Sequence, residues 1–450
     1  MNRSIDHDLN TFYGALESSF ALEWVPEYAP FVVPNGNGDA PVHRWFHLKE
    51  AYSSHFVRYL LMEIGLAGFP EIRVLDPFAG SGTTAISIAD AVVAGELDDP
   101  VVYGIECNPF LHLLASTKLA SLQSPPRQFE CFALSLVSRA LASRSEPPPP
   151  PGLSTFHRSD YFDRADIHQL MRLRGAIHDA EACGADPVLV ALGKVCLGSI
   201  VEAVGNLRRD GRTLRFVFKQ SRPAPMTAFL RKAEQIEADL PRRSVRIGGR
   251  VLAGDGRLCS RIGRNYRPFD LIVFSPPYPN NIDYTEVYKL ENWLLGFIAD
   301  KEGFTEERLK TVYSHPSILR PDPLPSPLLS REENSLIARI AYPLEAAVPD
   351  DRYRCGRIRM IKGYIHDMYL TMRSAAARLS ARGWVVYVVG NSVHGRSPNE
   401  FVIAADILVA ELAAAAGLAV ERIAVARQLR RRTVTSPYLR ESVVFLRKKC

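Results

Sequence analysis

An apolar strand that runs straight into an acid and a glycine-bearing turn leaves this chain few folds to choose from: Val74-Leu75-Asp76-Pro77-Phe78-Ala79-Gly80-Ser81-Gly82-Thr83-Thr84. Gly80 and Gly82 let the backbone turn sharply and let a ligand approach without a Cβ in the way, and the threonines open a helical pattern. Strand, glycine turn and helix in this order belong to a parallel α/β sheet that binds ligands at the carboxyl ends of its strands. The spacing is not GxGxxG and no Lys follows the last glycine, so a dinucleotide fingerprint and a phosphate loop both fit poorly.

Further short apolar runs alternate with helical patterns. Strands are expected at 72–76, 101–106, 250–254, 271–275, 384–390, 420–427 and 442–447, seven in all, which suits a doubly wound sheet. About 140 residues separate the second strand from the third, far more than an α/β connection needs. Most of that segment is therefore an insertion, with the Pro-rich stretch EPPPPPG at 146–152 and helical patterns at 165–182 and 188–204. A second insertion, 303–362, is Pro-rich in its middle and basic at its end. The expected organisation is 1–120 for the N-terminal flank and first half of a catalytic domain, 121–250 for the inserted region, and 251–450 for the second half.

The chain of 450 residues is 47% hydrophobic and can bury a sizeable core. Its formal charge of +6 is too mild to name a polyanionic partner, but between Arg208 and Arg250 twelve basic residues face four acidic ones, a local +8. Arg208, Arg209, Arg212 and Arg215 lead that stretch and are candidate phosphate contacts, as are the basic runs 352–362 and 427–432. Seven cysteines without CxxC pairs argue against a disulfide framework and a structural metal, so no metal ligand is expected. The N-terminus lacks a basic region followed by an apolar run, and the Ala-rich stretch 401–420 carries Asp406 and Glu411 and reads as an amphipathic helix. No run reaches the roughly 18 apolar residues of a membrane span, so a soluble cytoplasmic protein is expected.

Three acids and one proline pair carry the chemistry. Glu106 ends the second strand, placed to accept hydrogen bonds from a ribose diol; on its own it also fits an acid that caps the helix beginning near Asn108. Asp255, in Leu252-Ala253-Gly254-Asp255-Gly256, follows the next strand and could accept from an adenine amino group, although Asp-Gly is also a common turn pair. The fourth strand ends in Ser275-Pro276-Pro277-Tyr278. Consecutive prolines fix the backbone, offer no N–H and leave carbonyl oxygens free to accept from a planar amino group, while Tyr278 supplies a ring for stacking.

Asp76-Pro77-Phe78-Ala79-Gly80-Ser81-Gly82-Thr83-Thr84 resembles the cofactor motif, and Ser275-Pro276-Pro277-Tyr278 the catalytic motif, of bacterial S-adenosylmethionine-dependent DNA amino-methyltransferases. Ser at the head of the second motif resembles the cytosine-N4 subgroup more than the adenine-N6 enzymes. The segment from His43 to Ser53, with Trp45, is similar to the N-terminal cofactor-flanking motif, and Val389-Gly390-Asn391-Ser392 to a later strand end beside the base pocket. The resemblance implies a Rossmann-like class I methyltransferase, seven-stranded and mostly parallel, with a large mainly helical insertion. It implies a cofactor site of Trp45, Asp76, Phe78, Gly80, Gly82, Thr83, Glu106 and Asp255, a catalytic set of Ser275, Pro276, Pro277 and Tyr278, double-stranded DNA as substrate, and a cognate restriction or defence partner. The base would flip out of the duplex and be methylated by direct transfer, without metal or covalent cysteine. An adenine-N6 enzyme, an RNA base methyltransferase and a non-catalytic cofactor-binding module stay open as alternatives. The first insertion is expected to read the DNA sequence, with the second as its rival.

Overall fold

The computed structural model describes residues 2–449 apart from 144–147, 150–160, 210–213, 260–261, 264–265, 281, 319 and 432–434. Its centre is an eight-stranded sheet: β1 (Leu22–Trp24), β2 (Arg73–Asp76), β3 (Val101–Glu106), β4 (Gly248–Ala253), β5 (Phe269–Phe274), β6 (Leu379–Gly390), β7 (Leu418–Gln428) and β8 (Arg440–Lys448). The spatial order is β1-β7-β8-β6-β5-β2-β3-β4. Every neighbouring pair is parallel except those made by β8, which runs antiparallel to both β7 and β6. This is a Rossmann-like, doubly wound sheet, with its topological switch between β2 and β5.

Both faces are covered at the centre of the sheet, which is why the inner stretches of its strands read as apolar runs. Val74, Leu271, Val273, Val386 and Val388 point into one core, and Leu75, Ile272, Phe274, Val385, Tyr387 and Val389 into the other, the alternation of a pleated strand. The helices of 121–250, Phe129–Ala142, Arg164–Ala182, Pro187–Ser199 and Pro225–Asp239, send Phe129, Leu170, Leu192 and Phe229 into the first core together with the sheet. They form a thickened layer on this face of the sheet. Arg331–Ala347 and Arg354–Arg378 cover the opposite face with Ile337, Ile340, Met360 and Tyr364.

All seven expected strands are present, some longer than expected. The sequence reading lacks β1, a three-residue edge strand with exposed side chains and no periodic signal. The stretch 401–420 is also different from its expectation. It holds a short strand, Phe401–Ile403, and then the helix Ala405–Ala415, whose Asp406 is fully buried and accepts from Arg440 Nε at 2.7 Å, Ser442 Oγ at 2.9 Å and Asn391 Nδ2 at 2.7 Å. The acid that suggested a solvent face is an internal anchor. Among the described residues one helical stretch, Pro187–Val204, does have the length and hydropathy of a membrane span, and more than half of it is buried inside the fold. Most of the EPPPPPG stretch lies outside the described residues.

Candidate active site

The carboxyl ends of β2, β3, β4 and β5 surround a cavity of about 320 Å³. Its wall takes Pro77, Phe78 and Gly80 from the turn after β2, Ile105 to Asn108 from the end of β3, Asp255 to Arg257 after β4, and Ser275 to Tyr278 after β5. The two motifs, some 200 residues apart in sequence, therefore share one space.

Gly80 and Gly82 both adopt positive φ, +51° and +84°. They serve different ends. Gly80 faces the cavity, and its N–H donates to Glu106 Oε2 at 2.8 Å. Gly82 faces away from it, against the Pro109–Gln123 helix, where a Cβ would come within 3.1 Å of Ala115 Cβ. Asp76 is buried behind the turn, accepting from Phe78 N–H at 2.9 Å, from Tyr52 Oη at 3.3 Å and from the Thr84 hydroxyl. Burial raises its carboxyl to about 7 against the pull of these donors. Thr83 is buried beside Ser81, whose carbonyl accepts from Lys118 Nζ at 3.1 Å. Asp76, Gly82 and Thr83 thus shape the turn, and Phe78, Gly80 and Glu106 present the surface.

Glu106 is nearly buried, which raises its carboxyl, while the N–H groups of Asn108, at 2.8 Å, and Gly80 pull it back. The following helix is capped by Asn108 rather than by Glu106: Asn108 Oδ1 accepts from Leu111 N–H at 3.1 Å, while its buried Nδ2 has no acceptor among the described residues. Asp255 reaches the cavity but is held in a fork by Arg257, with Nε–Oδ1 2.9 Å and Nη2–Oδ2 2.8 Å. Gly256 is obligatory there, since a Cβ would sit 1.9 Å from the Pro77 carbonyl oxygen.

Trp45 is not brought to the cavity. It is fully buried, and its indole N–H donates to Asp239 Oδ2 at 3.1 Å, alongside Arg44, which pairs with the same carboxylate. Asp239 ends the Pro225–Asp239 helix, so Trp45 anchors the N-terminal flank to the inserted layer. From that flank, Leu48, Lys49, Glu50 and Ala51 line the cavity, together with Val32, Val33 and Pro34.

Around the proline pair, Ser275 Oγ lies 3.3 Å from Tyr278 Oη, and Tyr278 Oη donates to Glu441 Oε1 at 3.1 Å. Glu441 Oε2 accepts from Arg427 Nε at 2.6 Å. The Tyr278 N–H donates to Tyr284 Oη at 3.2 Å, and the Pro279 carbonyl is gripped by Ser392 Oγ and His394 Nε2, each at 2.6 Å. Burial lowers His394 to about 4, so the ring is neutral at ordinary pH. Gly390 makes room for Tyr278, because a Cβ there would stand 2.8 Å from the Tyr278 ring. Tyr284, Tyr288 and Glu441 also line the cavity and escaped the sequence reading, while Glu50 of the flanking segment lines it too and Arg427, expected as a phosphate contact in the run 427–432, instead faces the cavity and pairs with Glu441.

The four basic candidates separate. Arg208 and Arg215 are exposed on the hairpin Leu207–Arg209 and Leu214–Phe216. Arg212 lies outside the described residues. Arg209 is buried: Nη1 meets Glu202 Oε2 at 2.7 Å, Nη2 pairs with the wholly buried Glu291, and the guanidinium stands 5.4 and 5.6 Å from the ring centres of Phe46 and Tyr288. Arg209 is therefore a brace and has no face for a phosphate. Arg222 likewise bridges Asp163 and Asp166, and Arg246 lies 3.6 Å from Asp99, so the local +8 is partly neutralised by acids from outside its own segment.

No family model matches the chain. Over 423 residues it is 24% identical to the Type II methyltransferase M.AvaI of Nostoc sp., covering 86% of this chain and 81% of that protein, and M.AvaI of Anabaena variabilis gives the same figures. It is 25% identical over 309 residues to the Type II methyltransferase M.BsoBI of Geobacillus stearothermophilus, covering 60% of this chain and 56% of that one. Among solved structures, an S-adenosylmethionine-dependent methyltransferase from Clostridium acetobutylicum aligns at 7% identity over 92% of this chain and 94% of that one, with a TM-score of 0.28.

Proposed function

We propose that this chain is an S-adenosylmethionine-dependent DNA methyltransferase that transfers a methyl group to the N4 amino group of a cytosine flipped out of a specific duplex sequence. The observation that carries this reading is the shared cavity: Gly80 and Glu106 stand on the wall that also holds Ser275 and Tyr278. Methyl transfer needs its reacting atoms within roughly 3–3.5 Å, which two separate pockets would not allow. Similarity to Type II methyltransferases along most of the chain supports DNA as the substrate.

The cofactor is S-adenosylmethionine, which supplies a methyl group already activated on a sulfonium. The residues present fit it. Glu106 offers carboxylate oxygens to a ribose diol, the buried Asn108 Nδ2 is a donor in want of an acceptor, and Asp255 with Arg257 closes the β4 side. Tyr278 and Phe78 supply aromatic surface, and Val32, Val33, Pro34 and Leu111 keep part of the lining apolar. An aromatic amine is a weak nucleophile because its lone pair is delocalised into the ring. Accepting its protons at Ser275 Oγ and the Pro276 carbonyl favours a tetrahedral nitrogen, and so the transition state over the ground state. Extruding the base costs a few kcal/mol, offset by stacking on Tyr278. Serine at the head of the motif, rather than Asp or Asn, is what favours cytosine.

The test is transfer of labelled methyl to genomic DNA and to RNA, followed by nucleoside mass spectrometry. N4-methylcytosine in DNA is the expected product. N6-methyladenine would overturn the assigned base, and label confined to RNA would overturn the substrate. Cofactor binding without transfer to either would leave a non-catalytic module.

A further inference from the structure

We propose, resting on that reading, that Glu441 is a positioning residue which, through Tyr278, commits the Ser275 hydroxyl to accepting a hydrogen bond from the target amino group. A serine can donate or accept, and only an accepting oxygen draws on an amino proton. A carboxylate at that position would accept by nature; a hydroxyl has to be made to.

The hydrogen bonds around the motif do this link by link. The Arg427 guanidinium has only donors, so the Glu441 oxygen 2.6 Å from its Nε accepts. The ionised carboxyl has only acceptors, so Tyr278 Oη, 3.1 Å from Oε1, must donate its one proton to it. The Tyr278 oxygen then accepts from Ser275 Oγ at 3.3 Å, and Ser275, its proton committed, has only lone pairs left for the cavity that all four side chains line.

The chain spans three elements. Ser275 and Tyr278 follow β5, Arg427 stands near the end of β7, and Glu441 is the second residue of β8. The antiparallel register of β8 sets Glu441 opposite Gly390, the residue whose missing side chain admits the Tyr278 ring. Among the described residues, the charged and titratable groups around the Glu441 carboxyl are Arg427, Tyr278 and Tyr284. Burial raises its pKa, the contacts with Arg427 and Tyr278 oppose that rise, and the direction of the chain requires the ionised form.

The experiment is single-turnover transfer at saturating cofactor and DNA, compared with cofactor affinity by calorimetry and with thermal melting. In Glu441→Gln the Arg427 guanidinium selects the amide oxygen, which turns the amide NH2 toward Tyr278 and reverses the chain. Transfer is expected to fall on the order of 100-fold, the cost of misdirecting one preorganised hydrogen-bonding group, with cofactor affinity and melting near wild type. Tyr278→Phe keeps the ring and removes the link, so adding Glu441→Gln to it should cost nothing further. Adding Arg427→Met to Glu441→Gln frees the amide to turn its oxygen toward Tyr278 and should recover part of the rate. The wild-type rate should decline as pH falls through the Glu441 pKa, and Glu441→Gln should lack that decline. Wild-type transfer by Glu441→Gln, or an equal loss with and without the Tyr278 hydroxyl, overturns this inference alone. A wild type that methylates no DNA overturns the functional reading, and this inference with it.

Discussion

Replacing Arg209 with alanine asks whether the basic hairpin grips DNA through this residue or is braced by it, because the two roles have opposite readouts. The guanidinium is 6% exposed, pairs with Glu202 at 2.7 Å and with Glu291, whose side chain is 0% exposed, and its Nε donates to the Val287 carbonyl at 3.3 Å. Its backbone carbonyl also accepts from Lys49 Nζ, a residue of the cavity wall. Removing the side chain strands the Glu291 carboxylate in the core, and breaking a buried pair from one side costs about 3–5 kcal/mol. The stacking against Phe46 and Tyr288 adds about 0.5–2 kcal/mol to the interactions lost. A urea titration followed by tryptophan fluorescence should show this loss in Arg209→Ala, while the exposed Arg208→Ala stays within about 0.5 kcal/mol of wild type. Replacing the pair together, as Arg209→Met with Glu291→Leu, should recover much of the loss, since the uncompensated charge goes with it. Wild-type stability in Arg209→Ala, with the salt dependence of DNA binding reduced by about 0.9 in log–log slope, would refute the brace and restore the phosphate contact.

Three further outcomes follow from single features. Burial holds the Asp76 carboxyl at about 7 in the folded state, against about 3.9 in an unfolded chain, so between these values the folded protein keeps a proton that the unfolded chain has lost, and stability falls as pH rises. Asp76→Asn should flatten that stretch of a calorimetric pH series; an unchanged slope would show the carboxyl to be ionised throughout. Gly390→Ala puts a methyl 2.8 Å from the Tyr278 ring and should cut transfer by up to about 100-fold while calorimetry finds cofactor affinity unchanged, so retained activity would mean that the ring can shift without cost. Replacing Arg208 and Arg215 together with alanine should lower the salt slope of DNA binding by about 1.8, and an unchanged slope would move the DNA contact to the second insertion.

The parts of the fold that could be read from the chain are those whose signal is local. The central parts of the long strands are buried on both faces and so carry apolar runs, and the turn after β2 and the Ser275–Tyr278 motif carry their glycines and prolines side by side. The second insertion hides its role for the same reason that the first does: its helices complete a core whose other half is the sheet, so length and composition suggest a separate unit where packing makes a layer. Charge counting failed at Arg209 because Glu291, the group that defines its environment, lies 82 positions further on and reaches it only after the fold has formed. Trp45 was drawn to the cofactor by its neighbours in sequence, yet the Asp239 carboxylate fixes its indole, and the flank turns its next residues toward the cavity instead.

Glu441 shows where the limit falls. Nothing near it in sequence marks it, and the expected strand began one residue later, because Arg440 and Glu441 look like a polar strand boundary. In the fold both are buried, Arg440 against Asp406 at 2.7 Å and Glu441 against Arg427 at 2.6 Å, so the polar pair that seemed to end the strand is its first buried rung. The side chains of a strand alternate between its faces, so one residue of register decides whether a carboxylate at that rung meets Tyr278 or the opposite core. The antiparallel pairing of Glu441 with Gly390 supplies that register, and so brings the carboxylate to Tyr278 from 163 positions away in sequence.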